Sequence, residues 1–139
     1  MKARKGAQGQ SGSRPPVVGI GTDLVEVARL EKSLKRTASF AEKVFTAGER
    51  ATCEGRAHPG EAYAARFAAK EAFLKAVGRG ILDGIPLQQI EVVNEATGEP
   101  RLVLGPAAQR AMEERGGTSA LLSLSHAGGN AVAFVVVQR

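Results

Sequence analysis

The chain has 139 residues, 43% of them hydrophobic and 24% charged, which suits one folded domain with a single core. Its formal net charge of +5 favours an anionic partner, whether nucleic acid, an acidic protein or a phosphorylated small molecule. The single cysteine, Cys53, excludes an intrachain disulfide, and no apolar run is long enough to predict a membrane-spanning helix. The N-terminus lacks the apolar stretch of a signal peptide, so we expect a cytoplasmic protein.

Residues 1–14 contain almost no apolar side chains, and with Pro15-Pro16 they predict a flexible basic extension over residues 1–16. Apolar periodicity and turn residues then predict the following elements in chain order: a strand at 17–21, helices from about 26, around 40 and after Thr46, a polar loop at 55–60, a long helix over 61–77, strands at 89–94 and 101–104, a helix from Pro106, and two strands between about 122 and 137. This order predicts an α+β domain over residues 17–139 with a mainly antiparallel sheet.

The first segment whose residues are suited to catalysis or metal binding is GIGTD at residues 19–23, which ends in Asp23. A carboxylate at the end of a buried strand, after flexible glycines, can project a hard oxygen ligand into a cleft. Alternatively Asp23 caps the following helix, since aspartate is a preferred N-cap residue. Taken alone, the segment favours the cap.

The long helix carries four charged residues on or beside its apolar face. Arg66 and Lys70 fall inside the apolar arc, and Glu71 and Lys75 lie along its edge one turn apart. An ordinary i, i+4 ion pair accounts for Glu71 and Lys75, and long basic side chains can extend over apolar surface. These explanations serve each residue singly and the four together less well, because charge among core residues is costly unless paired or bound to a ligand.

A third segment, SLSHAGG at residues 123–129, delivers His126 at a glycine-rich turn, where it can donate to a phosphate, although a lone histidine is more often structural. After the long helix, Gly78 and Gly80 could let a ligand approach the backbone. The sequence contains no Walker loop, dinucleotide fingerprint, Cys/His zinc cluster or GxSxG elbow.

Taken together, GIGTDLVEVARL at 19–30, FTAGER at 45–50, RFAAKEAFLKAVGRGI at 66–81 and SLSHAGG at 123–129 resemble the holo-acyl-carrier-protein synthase family of small bacterial phosphopantetheinyl transferases. The resemblance spans about residues 17–138. It implies the 4'-phosphopantetheinyl transferase-like fold, with a mainly antiparallel sheet packed with a long central helix, in a homotrimer with active sites at subunit interfaces. It also implies transfer of 4'-phosphopantetheine from coenzyme A to a serine of an apo-acyl carrier protein, with Mg²⁺ as cofactor, in fatty acid or polyketide biosynthesis.

The resemblance also implies roles for individual residues. Asp23 and Glu71 match the family's metal ligands, with Glu71 or a water as the base, and Lys75 matches a lysine that meets the coenzyme A phosphates. Further coenzyme A contacts are expected at Arg66, Lys70, Gly78, Gly80 and His126, and, for its 3'-phosphate, at Arg56 and His58. Arg29 and Arg36 match positions that bind the acidic carrier. A third such position, usually basic, is Ser39 here, a departure that either weakens carrier docking or shifts it to Lys32, Lys35 or Lys43.

Two other functions fit parts of the sequence. A non-catalytic basic module that binds nucleic acid or protein would explain the charge and needs none of the three segments. A magnesium-dependent enzyme acting on a nucleotide diphosphate, such as a pyrophosphatase, would use the two carboxylates without a carrier. Under the transferase hypothesis, we expect neither nucleic acid nor a membrane as partner.

Overall fold

The computed structural model describes residues 15–139; the predicted extension therefore lies almost wholly outside the described residues. Ten helices and strands follow one another, with one 3₁₀ turn at Leu87–Gln89 between α4 and β2: β1 (Val17–Glu26), α1 (Val27–Arg36), α2 (Ala38–Val44), α3 (Ala47–Glu54), α4 (Pro59–Ala76), β2 (Ile90–Asn94), β3 (Pro100–Leu104), α5 (Pro106–Glu114), β4 (Ser119–Ala127) and β5 (Asn130–Gln138).

All strand pairing in the described residues is antiparallel, which confirms the predicted α+β class. Strands β1, β5 and β4 form a three-stranded sheet in that order, so β5 is central and β1 and β4 are its edges. Strands β2 and β3 form a separate hairpin. The structure thus has two sheets in place of the predicted single one.

Helix α4 packs on one face of the three-stranded sheet and makes the centre of the core. The two glycines of β1 are necessary for this contact. A Cβ atom at Gly19 would collide with the carbonyl oxygen of Ala76, and one at Gly21 with that of Ala72. The glycines therefore serve close strand–helix packing, and the flexibility that the sequence suggested for them is wrong.

Strand β1 is longer than predicted, and this decides the position of Asp23. The strand continues through Glu26, which stands at the N-cap of α1 without a side-chain capping bond. Asp23 pairs with Ala133 of β5 inside the sheet. The N-cap interpretation of Asp23 is therefore wrong.

The predicted capping box at the start of α3 is confirmed. The hydroxyl of Thr46 accepts from the Glu49 backbone N–H at 3.1 Å, and the Glu49 carboxylate accepts from the Thr46 N–H at 3.0 Å. Glu49 is nevertheless fully buried, which an ordinary cap does not require. Its further partners are described below.

The face of the sheet away from α4 is apolar and exposed in the isolated chain. Ile20 of β1 and Leu121 of β4 both pair with Val136 of β5, forming one row across the sheet. Their exposed fractions are 61% and 54%, and Leu24 and Phe134 are also exposed.

In the described part of the chain, no helix is both long and apolar enough to cross a membrane.

Candidate active site

Asp23 and Glu71 line the same cavity, of about 460 Å³, between β1, α1 and α4. Asp23 reaches it from β1 because it lies on the same side of the strand as Gly19 and Gly21, which contact α4. Glu71 reaches it from the partly exposed side of α4, one residue beyond the fully buried Lys70. Glu26 of β1 lines it as well, and we call this cavity the carboxylate pocket.

Asp23 is close enough to Glu71 to affect the ionisation of the Glu71 carboxyl group. Burial and then the nearby Asp23 carboxylate raise the pKa of Glu71, while the Lys75 ammonium group opposes the rise. Lys75 donates to Asp23 Oδ1 at 3.1 Å and to the Thr22 carbonyl oxygen at 3.0 Å. The i, i+4 pair between Glu71 and Lys75 is therefore not the ion pair that this lysine makes.

The chemistry of the carboxylate pocket suits a divalent cation that keeps outside ligands. Among residues 15–139, no three or more histidine, cysteine, aspartate or glutamate side chains come together as a metal-binding group. Magnesium commonly takes one or two protein carboxylates, with phosphate oxygens and water completing its coordination. Asp23 and Glu71 fit that pattern, in which the protein supplies only some of the ligands of the metal ion.

Of the two residues predicted to bind a carrier, one lies at the carboxylate pocket. Arg29 lines it from α1, beside the apolar side chains of Phe40 and Phe67. Arg36 lies in the last turn of α1 and does not line it. A partner that touches Arg29 would thus also reach the carboxylates.

A second cavity, of about 370 Å³, contains four of the residues predicted to bind coenzyme A. It is bounded by the loop before α4, one face of α4, the end of β4 and the β2–β3 hairpin. The four predicted residues in its lining are Arg56, His58, Arg66 and His126. We call this cavity the cationic pocket.

Arg66 is the most constrained of these residues, since only 3% of it is exposed. Its guanidinium group donates to the Ala62 carbonyl oxygen at 3.2 Å and to Asn94 Oδ1 at 2.8 Å. Among the buried side-chain nitrogen and oxygen atoms of the described residues, Arg66 Nε is the one without a hydrogen-bond partner. Because Arg66 lines the cationic pocket, the positive charge of this buried side chain suits an anionic ligand.

Sequence reasoning missed two residues of the cationic pocket. Asn94, at the end of β2, accepts from Arg66 and lies 3.5 Å from an Arg56 nitrogen, so its oxygen faces both arginines. Glu61, in the first turn of α4, lies 3.8 Å from His126 Nδ1. Nothing in the sequence distinguishes Asn94 from an ordinary turn residue, and Glu61 looks like an ordinary acidic residue at a helix N-terminus.

Lys70 is a correction, because the structure does not place it against a ligand. Its side chain has no exposed surface, and its ammonium group donates to both carboxylate oxygens of Glu49, at 2.8 and 3.1 Å. It also donates to the carbonyl oxygens of Leu87 and Ile90. With four acceptors around it, this ammonium group has no donor left for coenzyme A.

Gly78 and Gly80 line neither pocket. Gly78 has a φ of +73° just after α4, so it ends the helix in the left-handed conformation that glycine favours. The Gly80 N–H donates to Asp83 Oδ2 at 2.5 Å and is therefore already engaged. Their contact with coenzyme A stays a prediction.

The two pockets lie at opposite edges of the three-stranded sheet. Asp23 is on β1 and His126 is on β4, with central strand β5 between them. Two strand spacings separate these edges by roughly 10 Å. Helix α4 joins the pockets, presenting Arg66 to one and Glu71 to the other.

The chain is similar in sequence to proteins named holo-[acyl-carrier-protein] synthase. It is 44% identical over 124 residues to the holo-[acyl-carrier-protein] synthase of Geobacter sp. strain M21, covering 88% of this chain and 99% of that protein. It is 50% identical over 123 residues to the protein of the same name from Syntrophus aciditrophicus, covering 88% and 96%.

Solved structures agree with this similarity. The crystal structure of holo-[acyl-carrier-protein] synthase from Neisseria meningitidis has a TM-score of 0.79 at 36% identity, covering 88% of this chain and 99% of that one. The Helicobacter pylori protein of the same name, solved in complex with coenzyme A, has a TM-score of 0.75 at 32% identity, covering 86% and 99%. A family model, the 4'-phosphopantetheinyl transferase superfamily, matches residues 19–134. This chain therefore belongs to the 4'-phosphopantetheinyl transferase superfamily.

Proposed function

We propose that this chain is a holo-[acyl-carrier-protein] synthase, which transfers 4'-phosphopantetheine from coenzyme A to a serine of an apo-acyl carrier protein. The observation that carries the proposal is the pairing of Asp23 and Glu71 in one pocket, with Lys75 3.1 Å from Asp23. The names of the relatives and the coenzyme A in the Helicobacter pylori structure support the same activity.

Asp23 and Glu71 would hold Mg²⁺, and the phosphates of coenzyme A with water would complete its ligands. The ion, when bound, supplies charge neutralisation at the pyrophosphate. The raised pKa of Glu71 supports this role, because a carboxylate that is costly to ionise beside Asp23 gains from a cation.

The transfer itself asks the protein for positioning and charge. The serine oxygen attacks the phosphorus bonded to pantetheine, and the bond from that phosphorus to the oxygen of the neighbouring phosphate breaks. Glu71 accepts the serine proton, directly or through a water that it holds. Lys75 stabilises the charge that develops on the leaving adenosine 3',5'-bisphosphate.

The cationic pocket supports binding of coenzyme A. Arg56, His58, Arg66 and His126 surround one cavity, and the buried Nε of Arg66 has no partner among the described residues. We assign the 3'-phosphate of coenzyme A to this pocket. The positively charged side chains of this pocket would neutralise that phosphate.

A homotrimer with active sites at subunit interfaces would bring the two kinds of pocket together. Within one chain they lie at opposite sheet edges, so the cationic pocket of one subunit and the carboxylate pocket of its neighbour could face one molecule of coenzyme A. The exposed apolar face of Ile20, Leu121 and Phe134 supports burial against another copy.

Domain boundaries follow the same proposal. We assign residues 17–139 to the transferase domain and residues 1–16 to an extension, since the family model begins matching at residue 19.

Arg29 and Arg36, both on α1, would face the acidic carrier.

The deciding experiment incubates the protein with coenzyme A, Mg²⁺ and an apo-acyl carrier protein and measures the carrier's mass. The carrier is expected to gain one phosphopantetheine only when the protein, coenzyme A and Mg²⁺ are all present. Release of phosphate or nucleotide without a carrier would instead identify a hydrolase such as a pyrophosphatase. Salt-sensitive binding to arbitrary DNA without any transfer would favour the basic binding module.

A further inference from the structure

The ion pair between Lys70 and Glu49 has no exposed surface on either side chain. Burial lowers the pKa of Lys70, and the Glu49 carboxylate opposes that shift. Desolvating two charges costs free energy that their attraction often fails to recover, so a buried ion pair is weak support for a role in stability alone. Its partners suggest what else it does.

Glu49 connects three elements through one carboxylate. Its Oε1 accepts from the Thr46 N–H at 3.0 Å, at the start of α3, and its Oε2 accepts from the Val92 N–H of β2 at 2.7 Å. Lys70 of α4 donates to both oxygens and also to the Leu87 and Ile90 carbonyl oxygens before and at the start of β2. The network thus joins α3, α4 and β2.

The same three elements carry the polar groups of the cationic pocket. Arg66 lies one turn before Lys70 on α4, and Asn94 lies two residues after Val92 on β2. Arg56 follows the end of α3 by two residues. Asn94 Oδ1 therefore reaches both arginines only while α3, α4 and β2 keep their relative positions.

Apolar packing of α4 combines small and large side chains. The helix buries the large side chains of Tyr63, Phe73 and Leu74 together with seven alanines, Ala62, Ala64, Ala65, Ala68, Ala69, Ala72 and Ala76. Hydrogen bonds are directional, and those of Lys70 and Glu49 include bonds to backbone atoms of α3, of β2 and of the turn before β2. They therefore add to this packing a directional constraint between α4, α3 and β2.

We propose that Lys70 and Glu49 are positioning residues, which orient Arg66 and Arg56 around Asn94 in the cationic pocket. This rests on the proposed function, in which that pocket binds the 3'-phosphate of coenzyme A. Neither residue touches the donor or the carrier. Their loss weakens the binding of coenzyme A and leaves carrier docking as it is.

The test replaces the pair by apolar side chains of similar size, Glu49→Leu with Lys70→Met, in the full chain. We expect the variant to fold. Its Kd for coenzyme A, measured by calorimetry, should rise about tenfold, which corresponds to the loss of roughly one charged hydrogen bond. The KM for the carrier stays within about twofold of that of the unmodified protein. Phe73→Leu, a change in the same core that removes no hydrogen bond of the network, is the control and leaves the Kd unchanged.

A second readout does not depend on coenzyme A. The Arg66 Nε–H resonance in an NMR spectrum should move or broaden in the double variant and not in Phe73→Leu. If the double variant does not fold, Glu49→Gln removes one acceptor oxygen, keeps the shape, and should produce a smaller change in the same direction.

Normal affinity for coenzyme A in the folded double variant, with an unmoved Arg66 signal, overturns the positioning role and leaves the pair a structural feature. If the unmodified protein itself does not bind coenzyme A, the proposed function fails. The Arg66 signal then decides the positioning role by itself.

Discussion

Lys75 and Asp23, 52 residues apart in the chain, form an ion pair of 3.1 Å between helix α4 and strand β1. The pair depends on the close approach that Gly19 and Gly21 permit. Glu71 faces the same cavity one turn earlier on α4. The carboxyl groups of Asp23 and Glu71 and the ammonium group of Lys75 therefore lie close together.

Glu71→Gln should abolish transfer while the fold survives. The amide keeps the size of the side chain but loses the charge that holds a cation and accepts a proton, so turnover should fall by at least about 10³-fold. Carrier mass after incubation with coenzyme A and Mg²⁺ measures the transfer, and circular dichroism measures the fold. Near-normal metal-dependent turnover of this variant would refute the role given to Glu71.

The same variant should be more stable than the unmodified protein at neutral pH without Mg²⁺. The pKa of Glu71 is raised above its ordinary value of 4.5, so its protonation favours the folded state. That contribution is complete below pH 4.5 and is lost as the pH rises through the raised pKa. The Tm advantage of Glu71→Gln in EDTA should therefore shrink as the pH falls towards 4.5; a constant advantage would contradict it.

Arg29→Glu should raise the KM for the carrier by about tenfold and the KM for coenzyme A much less, because opposite charge steers the docking of an acidic protein. Arg29 lines the carboxylate pocket, so a carrier bound there would place its serine near Glu71. Arg110→Glu, an equal change of charge on the exposed side of α5, is the control. Equal effects on both substrates, or equal effects of the two variants, would count against the docking surface.

Leu121→Glu should dissociate the proposed trimer into monomers, since it puts a charge in the apolar row with Ile20 and Val136. Light scattering after gel filtration gives the mass. Leu82→Glu makes the same change at a residue 94% exposed in the loop after α4, and it should leave the mass unaltered. A protein that is monomeric before any substitution would rule out the trimer.

Gly21→Ala should destabilise the fold by about 1–3 kcal/mol, because the added methyl group collides with the carbonyl oxygen of Ala72 and β1 must move away from α4. Gly55→Ala is its control: the φ there is −83° and the nearest atom to an added Cβ is 3.5 Å away. Chemical denaturation gives both free energies of unfolding. Equal stability of the two variants would show that the close approach of β1 to α4 is not tight.

The sequence predicts some local features of the site because they depend on residues that are close together in the chain. The capping box of Thr46 and Glu49 and the long helix ending before Gly78 follow from residue types at short spacing, and both are confirmed. Position 70 was misread for the opposite reason. Whether a lysine on a helix meets solvent, a ligand or a buried acid depends on Glu49, 21 residues away.

The sequence by itself determined the α+β class, the antiparallel pairing and the family, since apolar periodicity and motif spacing are properties of the chain alone. Only the tertiary structure decided that Asp23 lies inside a strand rather than at a helix cap, that Lys70 is sealed in the interior, and that Asn94 holds Arg66. These are facts of distance between segments far apart in sequence. Pattern within one segment cannot encode them, because each depends on which other segment packs against it.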